Sequence, residues 1–149
     1  MSSEEFIEQS GTMQETEIDF FLRSQGYGTL SLAADGDAYG VPVSFGYDGN
    51  HLYFLFLQLG VESRKRVFAD TTDTASFLVY QVNSKFDWQS VIVTGRLREV
   101  RDDEVAHARD TMADNAWHPS LFSEADPMGE LKGYVLDIEA TTGRKGSGT

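Results

Sequence analysis

Three consecutive cations, Arg64-Lys65-Arg66, follow Glu62 and Ser63. They come just after the apolar run 52–57 and Gly60, where a helix over 62–69 is expected to begin. A helix N-terminus carries partial positive charge and free N–H groups, so cations there make sense if an anion is bound. The backbone N–H groups, the Ser63 hydroxyl and the cations together would form a phosphate cradle. The alternative is a solvated basic patch that offsets nearby acids. A second constellation is Trp88-Gln89-Ser90-Val91-Ile92-Val93-Thr94-Gly95, where polar groups open an otherwise apolar strand. Gln89 and Ser90 could hydrogen-bond a planar heterocycle and Trp88 could stack on one. The same residues also suit a strand end facing water, with Trp88 covering a core. A third is Tyr39-Gly40-Val41-Pro42-Val43-Ser44-Phe45-Gly46. Proline within a strand removes a ladder donor and marks an edge or a bulge. The small residues around it would let a flat ligand approach the backbone, or simply make an edge strand that resists aggregation.

Other chemistries find little support. His51, His107 and His118 are isolated and none has a helical ligand spacing, so no metal site is expected. There is no G-x-S-x-G nucleophile elbow and no Gly-rich phosphate loop. With no cysteine, disulfides, thiolate metal sites and cysteine nucleophiles are excluded. Acids are too numerous for a catalytic pair to be singled out, and no catalytic residue is assigned. Arg96 and Arg98 share a strand face as a possible second anion contact, though such arginines more often pair with local acids.

The elements that must position these residues follow from periodicity. Ile18, Phe21 and Leu22 recur at helical spacing behind Glu15 and Glu17, and Gly26 is a stop signal, so a short amphipathic helix begins near residue 13. The period then changes to two. Strands are expected over 27–33, 38–47 and 52–57, joined by turns at Asp35-Gly36-Asp37 and Asp48-Gly49-Asn50. The run 52–57 is apolar on both faces and should be buried on both. Strands over 74–82, 88–100 and 131–140 complete the set, with a helix over 102–116 whose first residues are acidic, as the helix dipole favours. The order α-βββ-α-ββ-α-β with hairpin turns predicts a mainly β fold, a small six-stranded antiparallel barrel with short helices. Residues 1–12 are expected to be a flexible acidic N-terminus, 13–142 the domain and 143–149 a flexible tail.

The chain has 149 residues and a formal charge of −12, from 24 acids against 12 bases. That balance disfavours nucleic acid and anionic membrane surfaces as partners. The longest apolar run, 52–57, is too short to cross a membrane. The N-terminus lacks the basic and apolar regions of a signal peptide, and the absence of cysteine suits a reducing compartment, so a cytoplasmic location is expected. Six of the twelve bases fall in two windows, 64–66 and 96–101, which points to a local anionic ligand rather than a general basic surface.

Taken together, these segments resemble the FMN-binding split-barrel proteins related to pyridoxamine 5′-phosphate oxidase, in particular the small single-domain branch that includes nitroimidazole-resistance-type reductases. The similarity spans roughly residues 14–101, with a weaker match at 131–145. Gly40-Val41-Pro42-Val43-Ser44-Phe45-Gly46 is similar to the strand beside the flavin, and Asp48-Gly49 with Leu52-Tyr53-Phe54 to the following turn and strand. Ser63-Arg64-Lys65 is similar to the phosphate-holding S-R-K of the oxidases. Gln89-Ser90-Val91, with Val93 and Gly95, resembles the strand whose first polar residues touch the ring or the ribityl chain.

The resemblance implies a split β-barrel homodimer with FMN at the subunit interface. By it, Ser63, Arg64 and Lys65 hold the phosphate, and Val41, Val43, Ser44 and Phe45 line the flavin. Leu55 and Phe56 lie along the ribityl and phosphate side, and Gln89 and Ser90 reach the ring. One face of the strand 52–57 then fills the barrel and the other the dimer. There are departures. The basic residue of the oxidases' second strand is absent, their C-terminal Trp-and-Arg segment has no clear counterpart, and Leu55 stands where the smaller branch has a catalytic-type histidine. Vitamin B6 oxidation is therefore not expected, and nitroimidazole reduction is unsupported. The expectation is an FMN-dependent oxidoreductase that takes electrons from NAD(P)H to a small acceptor. The alternatives are a flavin-binding module without turnover, such as a stress sensor, and a split barrel that holds a deazaflavin or haem.

The acid excess has its own signature. There are thirteen Asp and eleven Glu against eight Arg and only four Lys, a balance that suits a protein working in high salt. Its thermal midpoint should rise steadily from low to molar salt as counterions screen self-repulsion. Equal stability without salt would count against that adaptation.

Overall fold

The computed structural model describes residues 10–57, 73–115 and 131–146. The expected helix over 62–69 lies outside them. Helix α1 (Glu15–Ser24) forms where the apolar spacing demands it: Ile18, Phe21 and Leu22 are its buried residues. The Glu17 carboxylate accepts from the Gln14 N–H at 3.2 Å, satisfying one of the free donors at the helix start. Strands β2 (Tyr27–Ala34) and β3 (Asp37–Ser44) are joined by a two-residue turn at Asp35 and Gly36, both with positive φ. An Asp-Gly pair favours this turn because its twist matches that of the flanking strands.

The other strands are β1 (Ser10–Thr12), β4 (Gly46–Tyr47), β5 (His51–Leu57), β6 (Thr74–Ser84), β7 (Asp87–Glu99) and β8 (Leu131–Gly146). A 3-10 turn (Asp102–Glu104) leads into helix α2 (Val105–Asn115). All strands belong to one antiparallel sheet of order β3-β2-β6-β7-β8-β5-β4, with β1 paired to β8. The fold is the mainly β, curled antiparallel architecture of a split barrel. Among the described residues it has eight strand segments rather than six. The expected strand 38–47 is broken at Phe45, so that β3 pairs with β2 and β4 pairs with β5. The short β1 adds the other. Because β3 and β4 follow one another at opposite ends of the strand order, the break brings the sheet round on itself.

Strand β8 runs to Gly146, six residues beyond the expected end, and its last residues pair with β7 and with β1. Residues 10–12 and 143–146, expected in flexible termini, are strands here because each supplies the other with ladder partners.

The core lies inside the curl. Phe77 is fully buried and meets Phe45 edge-on at 5.0 Å and Phe54 at 5.2 Å. Leu30, Leu52, Val79, Val91, Val93 and Leu136 surround them. A smaller apolar cluster lies on the other face of β5 and β8, where Tyr53 and Val135 meet Ala108 and Met112 of α2. At Tyr53 the second face of 52–57, expected to meet a second copy, is covered by the chain's own helix. Among the described residues no helix is long and apolar enough to cross a membrane.

At Gly95 the pairing of β7 with β8 shifts register, and a Cβ there would run into the Asp137 carbonyl. Gly95→Ala should therefore cost about 1–3 kcal/mol, read as a lower denaturant midpoint at unchanged slope.

Candidate functional site

Neighbouring residues on antiparallel strands point to the same side, so the register assigns every side chain to the inside or the outside of the barrel. Leu30 pairs with Val41 and Phe77, and Phe77 with Val93, which defines the inner side. Val41 and Val43 belong to it and pack half-buried against the core. Gln89 has the same parity as Val91, at the rim. Phe45 is wholly enclosed, and its amide donates to Gly26 O at 3.1 Å.

Ser44 and Ser90 face outward. Ser44 pairs with Tyr27, and Ser90 pairs with Tyr80 on one side and with Arg144 on the other. The register that pairs Thr29 with Leu78 brings Tyr27 and Tyr80 to adjacent strands two residues on. One row across four strands therefore reads Ser44, Tyr27, Tyr80, Ser90. Its two phenols are exposed, Tyr27 at 51% and Tyr80 at 60%. They flank a groove of about 650 Å³ floored by Thr29, Pro42 and Leu78 and walled by Ser24 and Gln25 at the end of α1. None of the described residues lining the groove carries a charge. The outward positions of β2 over 27–33, of β3 over 38–44, of β6 over 76–82 and of β7 over 90–94 are likewise free of Asp, Glu, Lys and Arg. In a chain of net charge −12, that is a pronounced local departure.

Leu55 and Phe56 lie in β5, opposite Gly133 and Lys132; nothing is described of their side chains. Ser63, Arg64 and Lys65 lie outside the described residues. Tyr27 and Tyr80 were not singled out from the sequence. Each occupies an ordinary strand position, and only the register reveals them as neighbours.

A second polar cluster lies at the β4–β5 turn. The Asp48 carboxylate accepts from the Asn50 and His51 amides at 2.9 and 2.7 Å and from the Tyr53 hydroxyl at 3.2 Å. It also meets His51 Nδ1 at 3.1 Å and His107 Nε2 at 2.8 Å. Burial alone would raise the pKa of Asp48, but the bonds from His107, Asn50 and His51 outweigh it and hold the carboxyl at about 2. Burial, and then the Asp48 charge, push the Tyr53 phenol up. Nearby, Arg98 bridges Glu104 at 2.7 Å and Asp137 at 2.7 Å, and this pairing holds Glu104 at about 2. Arg98 is thus bound by carboxylates of its own chain, as the commoner reading of such arginines has it. Among the described residues no group of three His, Cys, Asp or Glu side chains is placed to hold a metal ion.

The sequence pattern of the family described as Pyridoxamine 5'-phosphate oxidase matches residues 14–145. The chain belongs to this family. Members and fold relatives share its shape at low identity. A FAD-binding protein from Mesorhizobium loti superposes with a TM-score of 0.72 at 24% identity, covering 91% of this chain and 96% of that one. A candidate 5-nitroimidazole antibiotic resistance protein from Bacteroides thetaiotaomicron also gives 0.72, at 18% identity, covering 91% and 86%. A FAD and heme binding protein from Mycobacterium smegmatis gives 0.71 at 19% identity, covering 94% and 74%. At these identities the likeness shows the fold. No curated protein matches the chain.

The carboxylates set a pH prediction. Both Asp48 and Glu104 sit below their ordinary values of 3.8 and 4.5, so each stabilises the fold above its unfolded pKa. That contribution should be lost as pH falls from about 4 to about 2. Denaturant midpoints measured across that window should drop more steeply in the wild type than in Asp48→Asn.

Proposed function

We propose that the protein binds FMN on the outward row Ser44-Tyr27-Tyr80-Ser90 and acts as a flavin-dependent oxidoreductase on a small molecule, with NAD(P)H as electron donor. The observation that carries this reading is the uncharged, aromatic-flanked groove in a strongly acidic chain. A planar tricyclic ring is neutral over most of its area, and phenols are suitable stacking partners for it. The groove volume accommodates such a ring, and Thr29, Gln25 and Gln81 bring hydrogen-bonding groups to its edges. The flavin-binding relatives of the same fold support the choice of ligand.

The chain's own residues then divide the work. Tyr27 and Tyr80 hold the ring by its faces, and the Ser44 and Ser90 hydroxyls fix its edge. Val41, Val43, Phe45 and Gln89 hold the strands from the inner side. Ser63, Arg64 and Lys65 take the phosphate, with Leu55 and Phe56 beside the chain that leads to it. Bound flavin supplies hydride acceptance and release, while the protein supplies binding, orientation and exclusion of water. The uncharged face continues onto exposed Val82 and Ile92, and a second copy of the chain covers it. Charge-depleted, aromatic patches are what interface cores are made of, and like-charged chains meet with least repulsion through an uncharged face. The domain is the stretch 13–142 with the strand end that follows it, in a protein of the cytoplasm. Haem is disfavoured, since none of the described residues lining the groove is a histidine and both His51 and His107 spend ring nitrogens on Asp48.

Purified protein should carry visible flavin absorption, or acquire it with added FMN, and NAD(P)H should bleach it. Colourless protein that fails to bind FMN would overturn the reading, and bound flavin that NAD(P)H leaves unchanged would favour a module without turnover. The Arg64→Ala, Lys65→Ala double variant should keep the fold and weaken FMN binding by about 1.5–3 kcal/mol per lost contact. Tyr27→Ala and Tyr80→Ala should each cost about 0.5–1.5 kcal/mol of FMN affinity. Sedimentation should give a dimer that Tyr80→Asp weakens.

A further inference from the structure

Helix α2 rests on a narrow apolar footing. Ala108 and Met112 meet Tyr53 and Val135, and the helix backbone comes so close to β4 that a Cβ on Gly46 would stand 2.7 Å from Met112 N. Its polar tie to the sheet is His107 on Asp48, a residue of the turn 59 positions earlier. At its far end the Asn115 amide donates to the carbonyls of Leu22, Arg23 and Gln25, which close α1. Ser24 and Gln25 of that same stretch form one wall of the groove.

We propose that Asp48, His51 and His107 form a proton-dependent clasp that holds α2 on the sheet and, through Asn115, sets the position of the groove wall. The geometry calls for protons. His51 faces a carboxylate from each ring nitrogen, Asp48 at 3.1 Å and Asp137 at 3.4 Å, and only the doubly protonated ring donates from both. His107 meets the same Asp48 oxygen at 2.8 Å, so protonation there makes a charge-assisted bond between helix and turn. Histidine is the side chain whose charge ordinarily changes between about pH 5 and 8.

The groups that face the clasp come from every element around it. Tyr53 of β5 donates to Asp48, and Thr111 of α2 lies 3.5 Å from His107 Nε2. Glu104 of the 3-10 turn and Asp137 of β8 add negative charge that Arg98 of β7 partly neutralises. Arg23 of α1 is close enough to Asp48 to feel its charge. Among these groups the carboxylates outnumber the cations. Asp48 stays ionised down to about pH 2, so the clasp is tightest in mild acid and loosens as pH rises through the histidine range. Its consequence for ligand binding rests on the groove being the ligand face; the clasp itself does not.

Amide hydrogen exchange in the full chain without added flavin tests it. After correction for intrinsic rates, protection of residues 105–115 relative to β6 and β7 should fall about fivefold from about pH 5.5 to 8. In His107→Gln, which keeps a neutral donor, that relative pH dependence should disappear. A wild-type ratio that stays flat across the range overturns the proposal, and so does a pH dependence that survives in His107→Gln. The wild-type profile decides even if the variant does not fold, and it reads out whether or not the protein binds FMN.

Discussion

The sheet closes on itself because one strand is interrupted at a phenylalanine. Phe45 separates β3 from β4, and its ring turns inward to meet Phe77 edge-on. That contact brings the first hairpin, which carries β3, against the strands that carry β4 and β5. The inner rings of Phe45, Phe54 and Phe77 make a contiguous apolar centre. Everything on the outside depends on that inward turn. With Phe45 inside, strand alternation sends Ser44 out, and Ser44 begins the row that runs on through Tyr27 and Tyr80 to Ser90. The candidate site is therefore a surface consequence of core closure.

Charge is arranged around that surface rather than across it. The acids that make the chain strongly negative are taken up in several ways. Glu17 holds Lys145 at 2.7 Å, Asp19 holds Arg23 at 3.0 Å, and Glu104 and Asp137 share Arg98. Asp48 is fixed by two histidines and two amides. Apart from Arg98, which lies further along β7 beyond Thr94, none of these groups falls on the outward face of β2, β3, β6 and β7. An acidic protein with an uncharged face has one region where a neutral ring or a like-charged copy of itself approaches without Coulomb opposition.

Much of this was legible in the sequence, for identifiable reasons. Helix α1 was visible because Ile18, Phe21 and Leu22 are apolar for the same reason that they are buried. The first hairpin was visible because Asp35-Gly36 suits a turn with positive φ. The family was legible from short segments in the right order. The break at Phe45 was not, because a β-compatible run carries no local signal that its two halves pair with different partners. The length of β8 was hidden by glycines and lysine that read as a tail; they become strand because β1 and β7 supply partners more than fifty residues away. Tyr27 with Tyr80, and Asp48 with His107, are likewise products of register and packing, which spacing along the chain cannot express. Ser44 and Ser90 were named individually, and their shared row appears only once four strands are set side by side.

Strand β8 pairs with β1, β5 and β7, and so joins the first described element to the last. These pairings join residues far apart in the chain, and such contacts close late, because the loop entropy must be overcome before they contribute. As the chain leaves the ribosome, the β2–β3 hairpin and the β6–β7 ribbon can form early, but β5 and β7 expose unpaired edges until residues 131–146 emerge. The nascent protein therefore passes through an interval with two open sheet edges on a half-built barrel, a form prone to adhesion between chains. The high negative charge of the chain is well suited to keep neighbouring copies apart during that interval.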